Sequence, residues 1–395
     1  MNVPPLRHFG GSPTRVLIAG GGVGAVESLL ALRALARERV SITVLSPTRE
    51  WVYKPLSVVE PFGGGATPRF DLAQIAIDRG ARLHMGLLDS VDAERGCVLT
   101  LSGEELRYDV LILAVGARRM GGIPGAISFG GPDDSDRFAA LLSEAELGLA
   151  RRIVFAVPPE AGWALPLYEL ALNTAAHLDA RDVRDVELTL VTPESSPLGV
   201  FGPPASDEVR RLLEGRGIAL RTDTYPAEVG AGKLSLVPHG ELEADRVVTL
   251  PWPDGPYVRG LPHDEAGFIP VDAHCMVDGL ANVYAVGDAT NFPIKQGGIT
   301  AEQADTAAEA IASRAGAPVT PRPFRPVLRG LLLTGDEPRY LSASITRGPV
   351  IASEAEVEPL WWPATKVPGR FIASYLQERG KSVASPPSRQ EAATP

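Results

Sequence analysis

The stretch Asn282-Val-Tyr-Ala-Val-Gly-Asp-Ala-Thr-Asn-Phe-Pro-Ile-Lys-Gln-Gly-Gly-Ile299 decides how the rest of the chain is interpreted. It predicts a buried strand over 283–286 that ends at Gly287-Asp288, and then an alanine-rich helix over 299–312. An acid at a strand end can accept hydrogen bonds from hydroxyl groups, and the free N–H groups at a helix start favour an anion. The stretch therefore predicts a site for a polyol with a negative charge. A buried strand that ends in an ordinary Gly-Asp turn is the alternative.

A glycine motif near the N-terminus favours the first interpretation. The apolar run 15–19 leads directly into Gly20-Gly-Gly-Val-Gly-Ala25, and a helical pattern over 26–35 precedes a second apolar run over 40–45. In the pattern G-x-G-x-x-A, the first glycine permits a tight turn and the second lets the backbone approach a pyrophosphate. The small third residue lets helix and strand pack closely. We therefore predict a dinucleotide site at Gly20, Gly21, Gly22, Val23, Gly24 and Ala25.

The acid that usually ends the second strand of such a unit, where it holds a ribose, is missing. Ser46 stands at that place and Glu50 follows a few residues later. Either side chain is a candidate for the ribose, and the sequence does not decide between them.

Together the two motifs resemble those of the two-dinucleotide-binding-domain flavoproteins, the pyridine nucleotide-disulfide oxidoreductase superfamily. The resemblance is nearest to the branch of sulfide:quinone oxidoreductases and type II NADH dehydrogenases, and it covers about residues 15–312. It implies FAD as the cofactor, with Asp288 on the ribityl chain, and an FAD-dependent oxidoreductase as the activity.

The fold that this resemblance implies is α/β, with two Rossmann-like domains, the second inserted into the first, plus a small C-terminal interface region. We expect the FAD-binding domain at 14–117 and 250–315, and the second domain at 118–249. The C-terminal region is expected at 316–381, and a disordered tail at 382–395, which is rich in proline, serine and alanine.

The resemblance also implies individual flavin contacts. Lys54 and Pro55 match an x-Pro-Leu segment beside the isoalloxazine, although a solvated loop is the alternative there. Leu88 falls where relatives hold the adenine through a backbone amide. Three residues match the Ala-Thr-Gly motif, with valine in place of threonine: Ala114, Val115 and Gly116.

The candidate catalytic residues are Lys295, Gln296 and Glu169. Glu169 matches a helix glutamate near the flavin of relatives, and a surface acid is the alternative. Charge on the reduced ring near N1 and O2 would be stabilised by Lys295 and by helix-start amides, and Gln296 would hydrogen-bond the ring edge. The amides expected in this role are those of Gly297, Gly298 and Ile299.

A second nucleotide site is expected to be lost. Relatives that use NADH carry a second glycine fingerprint, but here the matching segment is Pro158-Pro-Glu-Ala-Gly-Trp163, in which one glycine survives. Proline has no N–H to donate to a phosphate, and Glu160 would repel one.

The composition of the chain limits the classes of binding partner and indicates the cellular compartment. The formal net charge is −10 and no basic run occurs, which argues against nucleic acid and gives no indication of membrane contact. The chain has two cysteines, Cys97 and Cys275, which indicates a reducing compartment, and we predict a cytoplasmic protein. Sulfide:quinone oxidoreductases carry redox cysteines around the flavin, so a cysteine-persulfide route is doubtful here. No histidine or cysteine cluster has the spacing of a metal site.

The leading hypothesis is electron transfer from a small donor through FAD to an acceptor such as a quinone. The first alternative is an NAD(P)H-dependent reductase of the same fold, and the second is a non-catalytic flavoprotein that binds a protein partner. Trp361 and Trp362 have three interpretations: an acceptor pocket beside Pro363 and Lys366, a homodimer face, or core.

Overall fold

The computed structural model describes residues 12–238, 240–345 and 352–379. The helices are α1 Val23–Ala36, α2 Leu72–Asp78, α3 Ser135–Glu146, α4 Leu165–Ala180, α5 Pro203–Gly215, α6 Gly297–Arg314 and α7 Ile372–Glu378. The strands up to the middle of the chain are β1 Thr14–Ala19, β2 Val40–Ser46, β3 Glu50–Val52, β4 Arg69–Asp71, β5 Arg82–Met85, β6 Leu88–Asp92, β7 Cys97–Thr100, β8 Glu105–Arg107, β9 Val110–Leu113, β10 Arg118–Met120 and β11 Ile127–Ser128. The later strands are β12 Arg152–Ala156, β13 Glu187–Val191, β14 Ala219–Arg221, β15 Tyr225–Gly230, β16 Lys233–Val237, β17 Gly240–Glu243, β18 Arg246–Thr249, β19 Trp252–Asp254, β20 Val283–Ala285, β21 Val327–Leu332, β22 Arg339–Ser344 and β23 Ala352–Glu356.

The first sheet contains five strands in the order β20-β9-β1-β2-β5, and all neighbours are parallel. Its central strands are almost wholly apolar because both faces are covered. β20, which comes from the 282–299 stretch, pairs with β9, so the chain leaves this sheet after residue 113 and returns to it at residue 283.

Helices α1 and α6 pack against this sheet and against each other. Their contact faces are rich in alanine, including Ala25, Ala304 and Ala308, which are all buried in one core cluster. Small side chains let the two helix backbones approach closely, which brings the start of α1 near the start of α6.

The second sheet is also parallel, in the order β11-β18-β12-β13-β14, and all its strands lie between residues 127 and 249. Helices α3, α4 and α5 contribute apolar side chains to its core. The predicted α/β fold with a second Rossmann-like unit inserted into the first is therefore confirmed, whereas the exact limits of the domains stay a prediction.

The C-terminal region contacts both units. The antiparallel sheet β21-β22-β23 adds Leu328, Leu332 and Leu341 to the core of the second unit, and α7 adds Ile372 and Leu376 to the core of the first. Of the C-terminal region expected over 316–381, residues 346–351 and 380–381 lie outside the described ranges, as does the predicted tail over 382–395.

Candidate functional site

The glycine turn after β1 has the geometry that a pyrophosphate cradle requires. Gly20 has a φ of 137°, and a Cβ atom added there would lie 2.1 Å from the carbonyl oxygen of Ala114. Only glycine fits at this position. Above Gly22, by contrast, no atom lies within 4 Å of an added Cβ. Open space at the start of α1, next to its free N–H groups, fits a bound phosphate.

Three predicted motifs meet at Gly24. A Cβ added to Gly24 would lie 3.1 Å from a methyl group of Val286, 3.1 Å from one of Thr300, and 3.4 Å from the Cβ of Ala114. Gly287 faces the same threonine, since its added Cβ would lie 2.7 Å from Thr300 Cγ2. The structure therefore brings together the 20–25 turn, the 114–116 strand end and the 286–300 stretch.

The two candidates for the ribose are placed differently. Ser46 is buried directly beside the glycine turn, where its Oγ would be 2.5 Å from a Cβ added to Gly21, and its hydroxyl donates to the carbonyl of Thr48. Glu50 is exposed and accepts a hydrogen bond from Arg69 at 2.7 Å. Ser46 is thus the ribose candidate that adjoins the glycine turn. Leu88, which was predicted near the adenine, lies on β6 and packs against the core cluster that contains Leu45.

A cavity of about 250 Å³ lies between the two α/β units and the C-terminal region. Seven predicted site residues line it: Lys54, Pro55, Glu169, Asp288, Lys295, Gln296 and Gly297. These residues come from distant parts of the sequence, so the fold brings them together. The remaining predicted residues do not line this cavity, and among them Ala114 lies against the glycine turn at Gly20 and Gly24 instead.

Asp288 is the acid at the centre of this site. It is half-buried, and its carboxylate accepts no hydrogen bond from any residue in the described ranges. Burial raises the pKa of Asp288, and the nearby cations Lys295, Arg119 and Lys54 counteract that rise. A carboxylate that has no hydrogen-bond partner among the described residues and has three cations nearby is suited to accept hydrogen bonds from the hydroxyl groups of a ribityl chain.

Lys295 lies next to Asp288. Its ammonium donates to the Thr290 carbonyl at 2.5 Å and lies 3.6 Å from the centre of the Phe268 ring. Burial lowers the pKa of Lys295 to about 8, with Asp288 opposing the change. Lys295 therefore changes its charge near neutral pH. The contact with Phe268 had no signal in the sequence.

The prediction for the Gln296 side chain needs correction. Its amide oxygen accepts from the backbone N–H of Ile299 at 2.8 Å, and its amide nitrogen donates to the carbonyl of Arg329 at 2.9 Å. Gln296 is thus the N-cap of α6, and the Ile299 amide is already bonded. Within the described chain, the helix-start amides left for a ligand are those of Gly297 and Gly298.

Glu169 and Lys366 form a buried ion pair on the cavity wall. Glu169 is 0% exposed, and its Oε1 accepts from the Lys366 ammonium and from the Leu333 N–H at 2.8 Å. Lys366 also donates to the Leu331 carbonyl at 2.7 Å. The second carboxylate oxygen of Glu169 is buried without a partner among the described residues. Burial raises the pKa of Glu169 and lowers that of Lys366, and each charge opposes the shift of the other.

The sequence interpretation did not assign Lys366 to the catalytic residues, although it lies in an apolar Trp-Trp-Pro-Ala-Thr-Lys-Val-Pro segment, where a lysine is an unusual choice. The neighbouring tryptophans do not line the cavity. Trp361 packs against the Tyr340 ring at 5.1 Å and donates to the Thr365 carbonyl, whereas Trp362 is 77% exposed.

The segment that replaces the second glycine fingerprint packs into the site. The carbonyl of Gly162 accepts from the Lys295 N–H at 3.1 Å, and a Cβ added to Gly162 would lie 2.6 Å from Lys295 Cγ. Helix α4 begins just beyond, with Pro166 in its first turn, which removes a free N–H from the helix start. This geometry does not provide a second phosphate cradle.

Neither cysteine lines the cavity, and both are buried. Burial also raises the pKa of the Cys275 thiol well above its usual range, which keeps it protonated. Among the described residues no cluster has the composition of a metal site, and none of the helices described has the length and apolar character that crossing a membrane requires. The cytoplasmic location stays a prediction.

Comparison with known proteins agrees with this geometry. A family model described as pyridine nucleotide-disulphide oxidoreductase matches residues 169–313. The sulfide-quinone reductase of Aquifex aeolicus is 26% identical over 50% of this chain, and that alignment spans 47% of the relative, about half its length. The demethylphylloquinone reductase NdbB of Synechocystis is 23% identical over 69% of this chain and 71% of the relative. The solved structure of the Aquifex aeolicus sulfide:quinone oxidoreductase superposes with a TM-score of 0.79 at 20% identity, covering 95% of this chain and 100% of that one.

The two parallel α/β units share the fold of that solved structure, and the family match and these relatives agree with FAD as the cofactor. The chain is similar to the pyridine nucleotide-disulphide oxidoreductase superfamily, and its relatives fall on the branch of sulfide:quinone oxidoreductases and type II NADH dehydrogenases. The predicted fold class, the resemblance to this superfamily and the cofactor are thus confirmed.

Proposed function

We propose that this protein transfers electrons from a small donor through FAD to a quinone. The observation that carries the proposal is the buried Glu169–Lys366 pair on the wall of the same cavity as Asp288 and Lys295. The names of the relatives, a sulfide-quinone reductase and a demethylphylloquinone reductase, are consistent with a quinone acceptor.

The chain has the groups needed to hold the cofactor. The turn at Gly20 and Gly22, with the start of α1, would hold the pyrophosphate, and Asp288 would accept hydrogen bonds from ribityl hydroxyls. The free amides of Gly297 and Gly298 at the start of α6 would face the part of the ring that becomes negative. Bound FAD supplies the two-electron chemistry that side chains cannot perform.

The Glu169–Lys366 pair supplies protons at the acceptor side. Reduction of a quinone to a quinol takes up two electrons and two protons. Lys366 carries an ammonium inside the cavity, and its burial lowers the pKa and so makes the proton easier to release. Glu169 contacts Lys366, and its second carboxylate oxygen has no partner among the described residues. Glu169 can therefore pass a proton to the lysine or take one up. Leu331 and Val367 give this side of the cavity an apolar surface that suits a quinone ring.

The part of the cavity proposed for the electron donor is lined by cations. Lys54 and Arg119 lie on two sides of Gly131, since a Cβ added to this glycine would be 3.9 Å from Lys54 Cδ and 3.6 Å from an Arg119 Nη atom. Burial lowers the pKa of Lys54, and the charge of Arg119 lowers it further. Both cations line the cavity, and the Arg119 guanidinium donates to the Gly130 carbonyl. We therefore propose a small anionic donor, which would be attracted into the cavity and held by these charges.

A pyridine nucleotide is a less suitable donor. Its pyrophosphate would need free N–H groups between β12 and α4, where the chain has two prolines, Glu160 and a loop packed onto Lys295. A cysteine-persulfide route also lacks support, because both cysteines of the chain are buried away from the cavity.

The two halves of the proposal can be tested separately under anaerobic conditions. For the acceptor, the FAD-loaded protein is reduced with dithionite and mixed with a water-soluble ubiquinone analogue. Rapid recovery of the oxidised flavin absorbance is expected, and failure to recover would contradict a quinone acceptor. For the donor, bleaching is followed with sulfide, thiosulfate, sulfite, NADH and NADPH. Faster bleaching by NADH or NADPH than by every anion would contradict the proposed donor class.

A further inference from the structure

The segment that carries Lys366 is attached to the FAD-binding unit through one buried carboxylate. Glu27, on α1, is 0% exposed, and its two oxygens accept the backbone N–H groups of Phe371 at 2.9 Å and Ile372 at 2.6 Å. The start of α7 is thereby tied to the helix that follows the glycine turn.

A second carboxyl group faces Glu27 from α6. Asp305 hydrogen-bonds the Glu27 carboxylate, and its Oδ1 atom is buried with no partner among the described residues. Two carboxyl groups in contact must hold a proton between them, because two buried negative charges would repel each other. Burial and Glu27 raise the pKa of Asp305 to about 9, so that Asp305 holds the proton at neutral pH.

The other charged groups around this pair are two arginines and one glutamate, whose net charge of +1 offsets the single negative charge of a pair that shares one proton. Glu309, also on α6, accepts from Arg322 at 2.6 Å and from Arg370 at 3.2 Å. The groups that face Asp305 are therefore Glu27 from α1, Glu309 from α6, Arg322 from the chain after α6, and Arg370 from the segment before α7. The two arginines have Glu309 as their partner, which leaves the Glu27–Asp305 pair dependent on its shared proton.

Close contacts connect this attachment to the cavity. Gly369 fits tightly, since a Cβ added there would lie 2.9 Å from the Cβ of Ala301 and 3.1 Å from Glu27 Oε1. Val367 donates its N–H to the Tyr53 hydroxyl at 3.0 Å, and Tyr53 precedes the cavity residue Lys54. A shift at the start of α7 would therefore be transmitted to Lys366.

We propose that Glu27 and Asp305 are positioning residues that share one proton, fix the start of α7, and thereby hold Lys366 at the cavity. When Asp305 loses that proton, repulsion between the two carboxylates weakens the attachment. The attachment itself does not depend on the proposed function, whereas its consequence for quinone turnover rests on it.

The attachment is measured by hydrogen–deuterium exchange of the FAD-loaded protein at pH 7 and pH 10, corrected for the intrinsic pH dependence of exchange. In the natural protein the protection of the Phe371 and Ile372 amides should fall about 100-fold. Asp305 has its ordinary low pKa once the attachment opens, so each pH unit from 7 up to the pKa of about 9 favours the open form about tenfold. Asp305→Asn cannot ionise and should keep its protection at pH 10. Asp278→Asn, which removes an exposed acid that is not among the groups facing Asp305, should behave as the natural protein does.

Unchanged protection of the natural protein at pH 10 would overturn the proposal, and that measurement needs no variant. Equal loss of protection in Asp305→Asn would also overturn it. Quinone turnover is then compared at both pH values, and we expect its loss at pH 10 to be smaller in Asp305→Asn. If exchange follows the expected pattern but turnover is equally affected in both proteins, the attachment stands and the role of Lys366 in the proposed function fails.

Discussion

The Glu169 carboxylate contacts the Lys366 ammonium inside the protein although 197 residues separate them in the sequence. Glu169 lies on helix α4 of the second α/β unit, and Lys366 lies in the C-terminal region. The pair therefore joins two parts of the chain at the cavity that the FAD-binding unit also lines. The proposed acceptor chemistry depends on this contact.

Lys366→Met should lower the rate of quinone turnover by about 100-fold or more, because a positioned acid contributes about 10²–10⁴ to such a step. The visible spectrum of bound FAD should remain, since Lys366 is not among the residues proposed to hold the cofactor. Stopped-flow reoxidation of the reduced protein by the ubiquinone analogue measures the effect. Lys233→Met, which removes an exposed lysine paired with Glu241, is the matched control and should leave the rate unchanged.

The same pair predicts a stability pattern. Removing one partner leaves an uncompensated buried charge, so that Glu169→Gln or Lys366→Met alone should lower the free energy of unfolding by about 3–5 kcal/mol. The double variant should recover most of this loss, because it leaves neither charge in the interior. Urea unfolding of the natural protein, the two single variants and the double variant measures the interaction energy between the two side chains. Additive losses in the double variant would show that the two side chains do not interact.

Lys295→Ala should lower the reduction potential of the bound flavin, because the ammonium favours the negative charge that reduction creates. Since burial lowers the pKa of Lys295 to about 8, the natural lysine is charged below pH 8 and loses its charge above it. The difference in potential between the natural protein and the variant should therefore be largest near pH 6.5 and shrink above pH 8. Spectroelectrochemical titration of both proteins at three pH values measures this difference in potential. A difference that is absent, or that does not change with pH, would show that the charge of Lys295 does not tune the flavin.

Asp288→Asn should weaken FAD binding by about 10- to 100-fold, because hydrogen bonds to a charged group contribute about 1.5–3 kcal/mol. Asparagine keeps the size of the side chain but not its charge. Binding of FAD to the cofactor-free protein, followed by flavin fluorescence, measures the affinity. The exposed acid Asp278 provides the control, and Asp278→Asn should bind FAD as the natural protein does. Equal affinities of Asp288→Asn and the natural protein would mean that another group holds the ribityl chain.

Most of the fold could be predicted because its signals are local. The apolar runs before Gly20 and Gly287 predict buried parallel strands, and Gly20 stands where contact with the Ala114 carbonyl allows only glycine. Order in the sequence then fixed the insertion of the second unit, because a strand after residue 282 had to complete the first sheet.

The candidate site could be predicted only in part, because contacts between side chains that are far apart in the sequence leave no periodic pattern in it. Glu169 was found through a resemblance, whereas its partner Lys366 was known only as a neighbour of two tryptophans. Gln296 was assigned to the flavin ring, but the helix that starts at Gly297 needed a side chain to cap it. Ser46 and Glu50 could not be separated until the structure showed which one adjoins the glycine turn.

The visible absorption spectrum of the purified protein shows whether the turn at Gly20 and the acid Asp288 hold one flavin, on which every residue role proposed above depends. We expect a yellow protein whose cofactor, released by denaturation, is FAD in a ratio near one per chain. If preparation removes the cofactor, added FAD should rebind and restore the spectrum. A folded, colourless protein that takes up no FAD would contradict the account.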